Sequence, residues 1–220
     1  MPFYIGDGII SGEVEFVFGI VGQLKIATKR WWDRLIGLVK NCLRKSLGRA
    51  LLDNENLSTV LVGIEASLNS RPIVYEEGDE DNTEALTPAH FLTGRKLTSI
   101  PTNPNNNLRL TKLFKQQQDV LDIFWKRWSK EYLLQLRSYH QFRNIHKSFN
   151  IRAGDLVLLQ EDVRPRHMWK KARITNLIKG RDGEIRTCVL RVNGNTITRP
   201  IQLVIPLEVD QGGEDVIRHQ

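Results

Sequence analysis

Apolar residues at Trp32, Ile36, Val39, Leu43 and Leu47 recur in steps of three and four, which is the spacing of one helix face. The other faces carry Arg34, Lys40, Arg44, Lys45 and Arg49, so a basic amphipathic helix is predicted from about Thr28 to Gly48. Asp33 is the only acid among them and falls in the predicted first turn, where the helix dipole favours a negative charge. A second helix starts after Asp53 as N-cap, with Glu55 in its first turn and Leu57, Val60, Leu61, Ile64 and Leu68 on its apolar face. Asn69-Ser70-Arg71-Pro72 ends it, because Pro72 disfavours helix at Arg71. Thr87-Pro88 opens a short helix that Gly94 closes. Leu113, Val120, Phe124, Trp128, Tyr132 and Leu136 predict a long helix from residue 109 to about 146. From Asn150 the period changes to two. Strands are predicted over 155–159, 168–178, 185–192, 196–201 and 203–205, with Asn193-Gly194 as a type I′ hairpin turn. Five short strands in about sixty residues predict a small closed barrel, which hides its edges. The fold class is therefore α+β: an N-terminal helical segment, a long linker helix, then a five-stranded barrel.

The predicted organisation is a poorly defined N-terminus (1–28), a helical segment (29–100), a linker with the long helix (101–149), the barrel (150–209) and a disordered tail (210–220). Glu76 to Glu84 is an acidic run read as a solvated loop, and residues 101–107 are a turn-rich connection.

Composition narrows the function classes. Of 220 residues 40% are hydrophobic, enough for a modest core, and no apolar run of about 18 residues predicts a membrane span. Val14 to Ile20 is apolar but lacks a basic segment before it, so no signal peptide is expected. Cys42 and Cys188 fit neither a disulfide framework nor a metal spacing, and none of the five histidines forms a metal pair with them. The expected setting is reduced and intracellular, nuclear or cytoplasmic, with both cysteines as packing residues and no cofactor. The net charge of +7 points to a polyanionic partner, although it also serves solubility.

Several co-linear motifs resemble one family. Trp32-Asp33-Arg34-Leu35-Ile36, followed by Val39-Lys40, Leu43-Arg44-Lys45 and Leu47-Gly48-Arg49, resembles a helix of the integrases of Pao/BEL-type LTR retrotransposons. Ile64-Glu65-Ala66, Leu68-Asn69-Ser70-Arg71-Pro72 and the stretch from Leu86 to Arg95 resemble that family's downstream motifs. So do Trp125-Lys126-Arg127-Trp128, Glu131-Tyr132-Leu133 and Gly154-Asp155-Leu156-Val157-Leu158. The resemblance runs roughly from residue 29 to residue 209. It implies the C-terminal part of an integrase: the end of an RNase H-like catalytic core, then an SH3-like C-terminal domain. It also implies that Asp33 stands where the family carries its third catalytic carboxylate, a Glu one methylene longer. Integrases gather three carboxylates around two metal ions about 4 Å apart, and residues 1–28 do not look like the part of the core that carries the other two. Mg²⁺ is expected only if such a core is completed by another chain. The bland reading of Asp33 is an acid near a helix N-terminus.

The barrel segment carries Arg164, Arg166, Lys170, Lys171, Arg173, Lys179, Arg181, Arg186 and Arg191 against few acids, notably Asp182 and Glu184. Alternation puts about half of them on one sheet face, which makes a phosphate-contact surface; a merely solvated basic face is the alternative. Arg173 has an alternative partner in Asp182 or Glu184. Trp125-Lys126-Arg127-Trp128 reads either as a stacking platform for bases or, more simply, as helix packing, with Lys126, Arg127, Lys130, Arg137 and Arg143 free in either case to face solvent or phosphate. Three functions stay open at this point. The favoured one is a catalytically incomplete integrase fragment that binds DNA without sequence preference. The second is an accessory integrase subunit contributing Asp33, in a homo-oligomer or with another integrase chain. The third is a helical scaffold for another protein. No membrane partner is expected.

Overall fold

In the computed structural model, which describes residues 29–48, 52–75, 84–97, 112–143, 151–160 and 165–209, helix α1 (Lys29–Leu47) forms where expected and buries a wider stripe than the predicted one. Trp31, Leu35, Leu38 and Cys42 are buried beside Val39, Leu43 and Leu47, whereas Ile36 is half-buried at the rim. The apolar stripe is wide, and the predicted series followed one edge of it. Ser46 lies inside the stripe and donates its hydroxyl to the Cys42 carbonyl at 2.7 Å, so its polar group is satisfied. Asp33 is exposed and is the fifth residue of α1, beyond the turn where the dipole acts. Thr28, Arg49 and the Trp32 side chain lie outside the described residues.

Local chemistry sets the next two helices. Helix α2 (Asn54–Asn69) starts at Asp53, whose carboxylate accepts from the Asn56 N–H at 2.8 Å. It buries Leu57, Val60, Leu61, Ile64 and Leu68 as predicted. The Arg71 side chain is fully buried and donates through Nη1 to the Leu68 carbonyl at 2.9 Å, satisfying a C-terminal acceptor of α2. Helix α3 (Pro88–Thr93) ends at Gly94, whose φ of +71° suits glycine and whose N–H reaches the His90 carbonyl at 3.0 Å.

Helix α4 (Lys112–Arg143) has 32 residues, about 48 Å at 1.5 Å per residue. Val120, Phe124, Trp128, Tyr132 and Leu136 are buried, but Leu113 is 55% exposed. The first turn of α4 is exposed all round, so helical period there marks no buried face. The rest of the predicted helix, at 109–111 and beyond 143, lies outside the described residues, as do the segments 1–28, 101–107 and most of the acidic run.

The chain divides into two units. The first comprises Met1–Arg71, Pro88–Gln135 and Asp162–Met168; the second comprises Pro72–Thr87, Leu136–Glu161 and Trp169–Gln220. In the first unit α2 and α4 approach closely at Gly63, where a Cβ would stand 2.7 Å from a methyl of Leu121. Trp128 centres an aromatic series, 6.3 Å from Phe124 and 5.2 Å from Tyr132 between ring centroids.

The second unit holds two antiparallel sheets. Strands β1 (Val74–Tyr75) and β2 (Ala85–Leu86) pair with each other; two-residue strands are too short to show alternation, and the pattern did not foresee them. The larger sheet contains β3 (Leu156–Leu159), β4 (Lys171–Lys179), β5 (Ile185–Val192), β6 (Asn195–Pro200) and β7 (Val204–Pro206), in the order β6-β5-β4-β3-β7. Helices followed by this sheet make the class α+β. The predicted closure is not there: β6 and β7 are edge strands, and five strands do not by themselves close a barrel. The sheet is nonetheless curled. Outer strands of a flat five-stranded sheet lie about 19 Å apart at about 4.8 Å per spacing, whereas four residue steps from Pro200 to Val204 span at most about 14 Å. The 3₁₀ turn Ile201–Leu203 makes that crossing. Register slips at Thr175 and Arg186 add local bend. Asn193 and Gly194 both have positive φ, 48° and 79°, as the predicted I′ turn requires.

Val157, Leu159, Ala172, Ile174, Cys188 and Leu190 form the centre of the core of this unit. Leu156 and Leu158, on the other face of β3, are buried as well, which explains the unbroken apolar run. Hydrogen bonds tie neighbouring segments to these strands: Val209 N–H to the Ile73 carbonyl at 3.1 Å, His140 Nε2 with the Leu207 carbonyl at 2.7 Å, and Arg137 to Gln160 at 3.0 Å and to the Gln202 carbonyl.

Candidate nucleic-acid interface

Strand β4 sends Ala172 and Ile174 into the core and therefore Lys171 and Arg173 to the opposite face. Its register sets Arg173 opposite both Leu156 of β3 and Arg191 of β5, and Lys171 opposite Leu158. Lys171, Arg173 and Arg191 thus share one face. Arg173 is half-buried there. Its guanidinium lies 5.3 Å from the Tyr75 ring centroid, and Nη1 donates to the Gly154 carbonyl at 2.9 Å. Gly154 in turn has φ of +98° and donates to the Ile174 carbonyl at 2.7 Å, so a side chain there would be strained. Lys170 precedes the strand, and its carbonyl accepts from the Leu159 N–H at 2.9 Å.

A second group sits at the far end of the same hairpin. Lys179 ends β4, Arg181 lies in the turn and Arg186 follows the start of β5; all three are exposed. Gly180 N–H to the Glu184 carbonyl at 2.7 Å closes this turn, and Gly183 takes φ of +81° within it. Arg186 pairs with Asp182, and this hydrogen bond holds the Asp182 carboxyl below its ordinary range. Of the two alternative partners expected for Arg173, Asp182 is thus taken by Arg186. Six residue steps separate Arg173 from Lys179, about 20 Å along a strand. The single basic surface read from alternation is two groups on one hairpin.

Arg166 belongs to neither group. It lies in the first unit, with Nε 3.1 Å from an Asp122 oxygen and a second bond to Gln118 of α4. Arg166 sits in the Pro165–Met168 turn, closed by Met168 N–H to the Pro165 carbonyl at 3.1 Å. Arg164 lies outside the described residues. On α4, Trp125 and Trp128 are buried, which favours packing over base stacking, while Lys126, Arg127 and Lys130 remain exposed. Arg137, expected to face solvent or phosphate, is half-buried and bonded within the second unit, and burial lowers its pKa. Arg143, the other cation expected there, has its side chain outside the described residues.

Residues 112–207 match the model of a family of unknown function (DUF5641). The matched stretch starts at the first residue of α4 and ends one residue beyond β7. No curated protein and no solved structure matches the chain.

The remaining candidate chemistry is sparse. Among the described residues no group of three or more His, Cys, Asp or Glu side chains is placed to hold a metal ion, and Asp33 stands exposed on α1. Burial, with Glu131 nearby, pushes the Cys42 thiol up to about 11, and burial also raises Cys188. Both are free and buried, as packing residues are. Burial, then the charge of Arg166, lowers the pKa of His167, whose ring sits 5.8 Å from that of Trp125. Among the described residues no helix is long and apolar enough to cross a membrane. The Tyr75 contact to Arg173 escaped the sequence reading, because the only signal for it was an aromatic residue beside an acidic run.

Proposed function

We propose that the second unit binds duplex DNA through the cations of β4 and β5, without sequence preference, and that the chain is a catalytically incomplete relative of the C-terminal part of Pao/BEL-type integrases. The observation that carries this reading is the placement of Lys171, Arg173, Lys179, Arg186 and Arg191 on two paired strands, with Arg181 in the turn between them. Neighbouring strands about 4.8 Å apart let such cations track successive phosphates. Contacts of this kind position a duplex and carry no sequence information. The co-linear motifs from Trp32 to Leu158 support the ancestry. One carboxylate, Asp33, does not hold two metal ions, so the chain alone is proposed to lack strand transfer.

Two duplexes of unrelated sequence are expected to bind with the same affinity, and Asp33→Asn to leave it unchanged. With Mg²⁺ or Mn²⁺ the chain alone is expected to give no cleavage or strand transfer. A strong preference for one duplex overturns the binding mode; metal-dependent cleavage abolished by Asp33→Asn overturns the catalytic part.

A further inference from the structure

We infer that the end of the β4–β5 hairpin is a two-stranded ribbon that enters the major groove of duplex DNA, led by Lys179 and Arg181. This rests on the DNA-binding reading above and adds the mode of engagement. Strand β3 pairs with β4 only at Lys171–Arg173, and β6 pairs with β5 no further than Thr187 opposite Pro200. Beyond Ile178 and Thr187, therefore, β4 and β5 have only each other in the ladder among the described residues. Three residue steps from Ile178 to Arg181 reach about 10 Å at about 3.3 Å each. The major groove is about 12 Å wide and about 8.5 Å deep and admits a two-stranded ribbon, whereas the minor groove is only about 6 Å wide.

The chemistry of the ribbon suits that place. The ladder pairs Ile178 with Thr187 but Lys179 with Ile185, so Arg186 is the extra residue of a bulge. Arg186 takes Asp182 as its partner, which neutralises one of the two acids of the turn. Asp182 is folded in closely: its Oδ1 accepts from the Glu184 N–H at 3.3 Å, and a Cβ on Gly180 would lie 2.6 Å from that oxygen. Lys179 and Arg181 are exposed, and neither side chain is engaged in an ion pair among the described residues. Ile178, 43% exposed, adds an apolar surface to the ribbon. An A-form RNA duplex has a deep, narrow major groove closed to side chains, so the ribbon discriminates against it; a flat cationic face has no such preference.

The test uses the full chain with a DNA duplex and an RNA duplex of the same sequence, and dimethyl sulfate protection of guanine N7, which lies in the major groove. Tighter binding to DNA and protected N7 positions are expected. Lys179→Ala with Arg181→Ala is expected to remove both the protection and the preference, and to reduce the log–log salt slope by about two. Both side chains are exposed, and an unchanged circular dichroism spectrum verifies that the double variant is folded. DNA and RNA bound alike without N7 protection overturns the ribbon and leaves DNA binding standing. So does a double variant that still protects N7. No binding to either duplex, or preference for RNA, overturns both.

Discussion

Trp128→Ala is expected to cost about 3–5 kcal/mol, the usual cost of deleting a large buried aromatic. Trp128 is fully buried and touches rings on both sides, with Phe124 one turn before it and Tyr132 one turn after. Trp125 adds a third, 5.6 Å away. Its removal forfeits the transfer of a large ring from water and leaves a hole that rigid neighbours fill only in part. Domains are stable by about 5–15 kcal/mol, so the loss is a large share of the total. Urea unfolding followed by near-ultraviolet dichroism reads it as a lower midpoint. Leu113→Ala, on the exposed first turn of the same helix, is expected to change stability by no more than about 0.5 kcal/mol. A Trp128 variant as stable as the parent would mean that the aromatic series is not the core of the first unit.

The second large effect is on pH. The Cys42 thiol is raised from 9.0 to about 11 in the folded chain, by burial first and the Glu131 charge second. Below pH 9 the thiol is protonated in both states and contributes no pH dependence. Between pH 9 and 11 the unfolded chain ionises and the folded chain does not, which favours unfolding. Two pKa units at about 1.36 kcal/mol each give a loss of roughly 2–3 kcal/mol, complete above pH 11. Cys188 shifts in the same direction. Other groups titrate in this range, so the diagnostic quantity is the difference between the parent and Cys42→Ala: the variant's stability should fall less steeply from pH 9 to 11. Parallel profiles would contradict the burial of this thiol.

What could be read from the chain beforehand follows from how local each signal is. Asp53, Pro88, Gly94 and Asn193-Gly194 act on backbone groups within a few residues, and each does in the structure what its chemistry predicts. On α1, spacing finds Val39, Leu43 and Leu47 but not the full width of the stripe, because Trp31, Leu35 and Leu38 satisfy helical spacing as well as Ile36 does and tertiary packing chooses between them. Strand positions were visible through alternation, but strand count does not state closure. The basic surface was blurred for a similar reason. Alternation assumes an unbroken ladder, and the slips at Thr175 and Arg186 change which side chains share a face. Arg166 carries the same charge as its neighbours in sequence, yet a four-residue turn delivers it to Asp122.

The proposed DNA binding by the β4–β5 cations is electrostatic, and the salt dependence of DNA affinity tests it most directly. If about four phosphates are neutralised by the β4–β5 cations, a plot of log affinity against log salt should fall with a slope of about −3 to −4 for any duplex sequence. Lys171→Ala with Arg191→Ala, on the shared face, should make that slope shallower and weaken binding to all duplexes alike. An affinity that does not change with salt, or one that the double substitution leaves untouched, would contradict the account.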